Sequence, residues 1–491
     1  MMLKRITRLR GCLLLAMCCL VGFGAFGAGA RQVHADDGAS SYNYSFWGDT
    51  VASPKAYEAT ALLNGAKLGT GPLKDPSDLF VSADERIYVL DAGNNRVLVL
   101  DRQFKLVRII DSFERDGKKE AFLNPQGLFV TDRNELIVAD TGNKRVVHLD
   151  SDDNVVKVID SPQSELLAEG FNFEPVRVVA DKAQRIYVMA AGVFDGFMEF
   201  SASGDFTSFI GANRVNFDPT DYLWKMLSTR AQRSQMVMFT PTEFTNLDMN
   251  DEGFIYATNG QASDNVKKLN AQGSDILRRE GYFPPEGDIR FTTLDGPTRL
   301  ADIDVADSEI FAILDATRGR IFTYSGDGHF MYVFGGIGNQ LGEFHTPVAI
   351  ERVGDDYIVL DKALGELTVF QTTEYGRTLN EAVRSYYKGE EEKAYELFQK
   401  TINMNANLEF AYAGIGKALL RQGEYGEAMN YFKQSMDQRG YSKAFLLYRK
   451  QVLREHFTAI MTVVAVLVLA LFLIRRYLKR KGGKKIVPME A

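Results

Sequence analysis

A repeat of about 50 residues present in six copies, a 34-residue helical period after Tyr375 and an uncharged apolar run near the C-terminus together predict a mainly β protein. The expected architecture is a six-bladed β-propeller followed by a small α-helical domain and one C-terminal transmembrane helix. The boundaries that follow are residues 1–35 for a signal peptide, 36–374 for the propeller with an insertion at 212–240, 375–456 for the helices, 457–474 for the span and 475–491 for a basic tail.

The first 35 residues hold five basic groups and no acid, and an apolar stretch from Gly11 to Ala28 precedes small-residue cleavage sites. That is the pattern of a secretory signal, with cleavage expected after Ala35; Ala28-Gly29-Ala30 is a second site and a retained anchor the alternative. All three cysteines (Cys12, Cys18, Cys19) fall inside this segment. The processed chain is therefore expected to hold no disulfide, zinc thiolate or cysteine nucleophile, a usage that resembles exported proteins of Gram-positive bacteria. Net charge over the chain is -7, but residues 36–474 carry 45 basic against 63 acidic groups. So acidic a body repels phosphate backbones, which argues against nucleic acid as a partner.

The repeats begin at Asp75. Pro76 and Pro125 are 49 residues apart, as are Asp91 and Asp140. A third copy opens at Glu174-Pro175, and degenerate copies start at Asn246, Asp302 and Pro347. In each, a short apolar run precedes a polar turn and a β-branched run such as Ile87-Tyr88-Val89-Leu90, after which Asp-x-Gly-Asn turns the chain into another alternating run. Short strands separated by turn residues at this period describe a four-stranded blade. Asp91, Asn94, Asp140 and Asn143 are read as structural turn residues, with Gly93 or Gly142 supplying a positive φ. Tyr42–Leu63 is expected to donate the strand that closes the ring. The segments Asp91-Ala92-Gly93-Asn94-Asn95-Arg96-Val97 and Asp140-Thr141-Gly142-Asn143-Lys144-Arg145-Val146 resemble the signature of NHL-repeat propellers. The resemblance covers about Asp75 to Phe370 and implies a six-bladed toroid with a central channel. Blade three departs from it at Ala190, and blades five and six at Arg318 and Leu364.

Within the insertion, Asp221 is a candidate N-cap, and Tyr222, Leu223, Met226 and Leu227 share a helical face, reading either as a lid on the channel or as a strut on the blade edges. After Tyr375, Ala394 and Ala428, Phe398 and Phe432, and Thr401 and Ser435 align at an offset of 34. This small–aromatic–small pattern resembles the tetratricopeptide repeat, although Glu381 and Ser385 stand where the first copy should have large apolar residues, and Ala406 replaces proline. The resemblance implies a protein-binding groove; a rigid stalk is the alternative. Tyr441–His456 is expected to cap the pair and run into the span. Phe457–Ile474 has no charge over 18 residues, a helix about 27 Å long. Seven basic groups follow it, so the tail is expected to be cytoplasmic and everything upstream extracellular.

Six-bladed propellers of the gluconolactonase and regucalcin group, which the repeats also resemble, hold Ca²⁺ with Glu, Asn and Asp at the inner-strand starts. The corresponding positions here are Ser77, Gln126, Val176, Thr245, Ala301 and Val348, with no carboxylate among them. The neighbouring set is Asp78, Gly127, Arg177, Asn246, Asp302 and Ala349. Asp78, Arg177, Asn246 and Asp302 are the expected ligand-binding residues of the channel mouth; no catalytic residue, metal or cofactor is assigned. His148, His329 and His345 are read as isolated surface or turn residues. The functional expectation is a membrane-anchored extracellular scaffold of the bacterial cell envelope. It would bind protein partners and a carbohydrate ligand, since chains resembling the whole architecture are often grouped with sugar-uptake transporters. A calcium-dependent lactonase is the alternative.

Overall fold

The structure, a computed structural model, describes residues 41–167, 170–213, 242–261, 263–291, 296–305 and 310–482. The expected signal peptide, the insertion from residue 214 onward and the end of the basic tail lie outside the described residues.

Six inner strands, Asp78–Val81, Gly127–Val130, Pro175–Ala180, Phe244–Met249, Leu300–Val305 and Pro347–Val353, neighbour one another in order, and the last meets the first. Each leads an antiparallel blade. Second strands such as Ile87–Asp91 and Leu136–Asp140 are buried at every position. That is why they read as continuous apolar runs: each blade is covered on both faces by its neighbours. Full burial of one such Val or Leu contributes about 1.5–3 kcal/mol.

The ring closes where Tyr57–Asn64 pairs with Glu366–Thr372 as the outer strand of blade six. The preceding hairpin, Tyr42–Tyr44 with Thr50–Ala52, packs instead beside the outer strand of blade five. Blade four departs from the expected four strands. It has three, and the chain after Leu269 returns only as an isolated bridge from Leu269 to Asp275. Blade five gains a short parallel strand, Glu343–Phe344.

Six helices follow: α1 Glu374–Lys388, α2 Glu391–Met404, α3 Glu409–Gln422, α4 Tyr425–Gln434, α5 Gln438–Glu455 and α6 Phe457–Gly482. Thr373 caps α1, its hydroxyl accepting from Gly376 N at 3.2 Å. α1 to α4 and part of α5 share one apolar core with blades five and six, in which Phe398, Phe432, Leu379 and Ile415 are continuous with Met331, Phe334 and Phe370. α1 faces the propeller through Asn380, whereas Glu381 pairs with Lys393 of α2 at 2.8 Å. Tyr332 donates to Asn380 Oδ1 at 2.7 Å, and Asn380 donates to the Tyr57 hydroxyl at 3.1 Å. Asn405 joins Asn43, Ser53 and Tyr375 at 3.0–3.2 Å. Helix α6 is long and apolar enough over Phe457–Arg480 to cross a membrane, and its side chains are unburied.

Candidate functional site

The candidate site is the central channel. Strand pairing puts Asp78, Gly127, Arg177, Asn246, Asp302 and Ala349 at one level, since each lies opposite the residue just before its blade's turn position. The expected residues Asp78, Arg177, Asn246 and Asp302 therefore do line one ring. Their polar atoms are engaged between blades. Asp78 Oδ2 accepts from Leu128 N of blade two at 2.8 Å, and Asp302 Oδ2 accepts from Ile350 N of blade six at 2.6 Å. Asn246 donates to Ala301 O at 3.1 Å and to Asp302 Oδ1 at 2.5 Å. Arg177 donates to the carbonyls of Gln126, Val176 and Ser77 and lies 3.9 Å from Asp78 Oδ1, so it ties three blades together. Gly127 leaves room for this: a Cβ there would sit 2.4 Å from Val176 O.

Two residues further along the strands a second ring follows, because strand side chains alternate with period two. It consists of Phe80, Phe129, Val179, Asp248, Asp304 and Glu351. Half is apolar, with the Phe80 and Phe129 rings 4.9 Å apart. The other half is acidic and again bridges blades. Asp248 accepts from Val305 N at 3.0 Å, Asp304 from Arg352 N at 3.3 Å, and Glu351 from Val81 N at 3.3 Å. Burial and then the Asp304 charge push the Asp248 carboxyl up to about 8. Burial, with Asp304 and Asp248 beside it, raises Glu351 well above the usual carboxylate range, and burial followed by the Asp78 charge does the same to Asp302. Asp248, Asp304 and Glu351 were missed on reading the sequence, although the same six-copy alignment shifted by two residues exposes them.

Beyond the second ring, at the mouth opposite the Asp-x-Gly-Asn turns, a cleft of about 250 Å³ opens among blades two, three and four. Phe129, Ala180 and Met249 form its apolar part, and Asp132, Arg133, Glu135, Asp181, Lys182 and Asp251 supply charge of both signs. Glu135 is held from behind by His148 Nε2 at 3.1 Å. His148 is thus a buried strand residue, against the expectation of a surface or turn position, and burial lowers its basicity. His329 is also not isolated: it stacks on Phe410 of α3 at 5.0 Å, and burial, with the Lys417 charge beside it, depresses it to about 3. His345 is exposed. Among the described residues no three His, Cys, Asp or Glu side chains are grouped closely enough to share a metal ion.

On the far face, Asp91 Oδ1 accepts from Lys74 N at 2.7 Å while Oδ2 accepts from Asn94 and Arg96, both at 2.8 Å. Asp140 repeats this with Leu123 N at 2.8 Å, Asn143 at 2.9 Å and Arg145 at 2.8 Å. One expectation is corrected. The positive φ belongs to Asn95 (54°) and Lys144 (56°), not to the glycines. Gly93 and Gly142 are needed for space, since a Cβ would lie 2.7 Å from Lys74 O and 2.4 Å from Leu123 O.

Residues 122–149, the first three strands of blade two with the loop before them, match the NHL repeat. Among solved structures the chain is similar to virginiamycin B lyase from Staphylococcus aureus at 10% identity, covering 65% of this chain and 100% of that one with a TM-score of 0.40. A streptogramin B lyase structure shares 11% identity over 65% of this chain and 100% of that one, TM-score 0.41. A protein of unknown function from Bacteroides thetaiotaomicron shares 13% over 68% and 75%, TM-score 0.41. No curated protein matches the sequence. Identity and scores this low carry no activity from these proteins to this chain, whereas the repeat and the ring agree with each other: the chain is a six-bladed β-propeller protein that carries the NHL repeat.

Proposed function

We propose that this protein is a membrane-anchored binding scaffold whose propeller is held outside the cell by its C-terminal helices. The observation that carries the reading is the shared core of blades five and six with α1 to α4, from which α5 leads straight into the apolar helix α6. A propeller so fastened is presented as one rigid body at a fixed place on the bilayer. The inner-ring polar groups are largely occupied in tying blades together, which supports a binding over a catalytic role for that mouth. The cleft of blades two to four, with an apolar floor and charges of both signs, suits a protein loop; a carbohydrate is the smaller ligand it would take.

Photocrosslinking side chains placed at Lys182 and Asp251 in living cells test this, with Lys74 on the opposite face as control. The expected result is a discrete crosslinked partner from the two cleft positions and none from Lys74. Equal labelling from both faces, or lactone hydrolysis by the purified ectodomain that chelation abolishes, would overturn the reading.

A further inference from the structure

Helix α5 stands out because it is long, amphipathic and covered on one side only. Of its 18 residues only Ala444 is fully buried, and Gly440 rests against the Phe432 ring of α4. At about 100° per residue, the side turned away from α4 carries Phe445, Leu446 and Leu453 with Arg449 and Ser442 between them, and Tyr441 lies at its edge. Phe445 is 46% and Leu453 49% exposed, and the Tyr441 and Phe445 rings lie parallel 6.5 Å apart. Beside that arc, Arg439, Lys443, Lys450 and Arg454 form one exposed flank, while Glu455 is the helix's only acid. Next, α6 begins at Phe457, with only His456, at the non-helical φ -102° and ψ 11°, between it and the end of α5. The two therefore need not share an axis.

We infer that α5 lies in the headgroup layer of an anionic bilayer, its aromatic and leucine arc inserted among the acyl-chain ends and its basic flank on lipid phosphates. This rests on reading α6 as the anchor. Three observations select a lipid surface as the occupant. The apolar arc points away from the body of the protein, the charge is of one sign on one flank, and the span starts where the helix stops. An apolar face edged with Lys and Arg is the composition of helices that lie in a membrane interface. Anionic headgroups add about 1 kcal/mol of attraction for each nearby Lys or Arg. The tethered helix needs no further affinity to stay there, because its neighbour already holds it at the surface.

The test uses the full chain with Cys12, Cys18 and Cys19 replaced by serine and nitroxide labels at Phe445→Cys, Glu427→Cys or Val466→Cys, reconstituted in vesicles. Vesicles are phosphatidylcholine alone or mixed with phosphatidylglycerol. With phosphatidylglycerol, the ratio of oxygen to water-soluble relaxer collisions at position 445 should rise several-fold over that at 427, which sits on the exposed side of α4. Changing Arg439, Lys443, Lys450 and Arg454 to glutamate should erase that rise without moving the melting temperature. A label at 445 as wet as that at 427, with 466 in lipid, would overturn the inference and leave the anchor standing. Shielding of 445 from both relaxers, or crosslinks through it between two copies, would overturn it in favour of a protein contact. A wet label at 466 would remove the anchor and this inference with it.

Discussion

A single carboxylate holds the turn at Asp91 and again the turn at Asp140, and the residues around it divide the work in a way that mutation can separate. Asp140 is buried and accepts from a loop amide, an asparagine and an arginine at once. Asp140→Ala leaves Leu123 N without an acceptor, at about 1–3 kcal/mol, and Arg145 with Glu120 as its remaining carboxylate. The expected outcome is a lowered denaturation midpoint for a soluble fragment ending before α6. Gly142 and Lys144 give the sharper contrast. Gly142→Ala forces a methyl against a backbone oxygen that cannot rotate away, so a loss of about 1–3 kcal/mol is expected. Lys144→Gly should be neutral or slightly stabilising, because it relieves a left-handed residue. Denaturant melts of the two variants check this; equal loss from both would mean that φ, not space, rules the turn. The sequence shows that a turn needs Asp, Gly and Asn, but not which backbone oxygen approaches the glycine, because that oxygen comes from a loop 19 residues earlier.

At the level of strands and helices, the parts legible beforehand were those set by local periodicity. Six copies appear as six blades, the closing strand starts within Tyr42–Leu63 and ends one residue beyond it, and α1 starts within one residue of Tyr375. What stayed hidden depends on partners distant in sequence. Asn380 reads as ordinary helix polarity until Tyr332 of blade five and Tyr57 of blade six are packed beside it. Asp248, Asp304 and Glu351 look like ordinary strand polarity until ring closure gathers them into one low-dielectric wall. That wall makes a pH prediction. An aspartate in the unfolded chain titrates near pH 3.9, while Asp248 in the fold titrates at about 8. Between those values the folded state binds the extra proton, so stability falls as pH rises from about 5 to 8, by up to about 1.4 kcal/mol per pH unit for each such group. Glu351 on the same wall is raised too and acts together with Asp248, the Asp304 charge contributing at both, and Arg177 on the ring above opposes the effect at Asp302 and Asp78. Melting profiles across that range should decline, and Asp248→Asn should flatten the decline. A profile that instead rises from pH 5 to 8 would show that the wall is ionised throughout.

For the molecule as a whole, the decisive feature is that three separate stretches of chain depend on one another. The outer strand of blade six comes from Tyr57–Asn64, so the ring is closed by residues more than 300 positions away from its partner strand. The hairpin at Tyr42–Ala52 reaches both blade five, through Asn43 to Met331 O at 2.8 Å, and the end of α2, through Asn405. Lys417 of α3 meets Asp327 and Glu280 of the propeller at 3.2 and 3.0 Å, and the Asp327 N–H donates to the Tyr387 hydroxyl of α1 at 2.8 Å. Contacts of this kind make propeller and helices a single cooperative unit, because neither can open without exposing the other's apolar face. A fragment spanning residues 41–455 should therefore melt in one transition, with near-ultraviolet circular dichroism from buried blade tyrosines such as Tyr88, Tyr256 and Tyr332 and far-ultraviolet helical circular dichroism changing together. Ending the chain at Thr372 would uncover Tyr57, Tyr332, Phe334 and Phe370 and should yield an unstable or aggregating product. Deleting Tyr57–Asn64 should be as damaging, since it leaves blade six with an open edge. Two well-separated transitions in the 41–455 fragment, or a stable monomer from 41–372, would show that the helices are a stalk attached to an independent propeller and not part of its core.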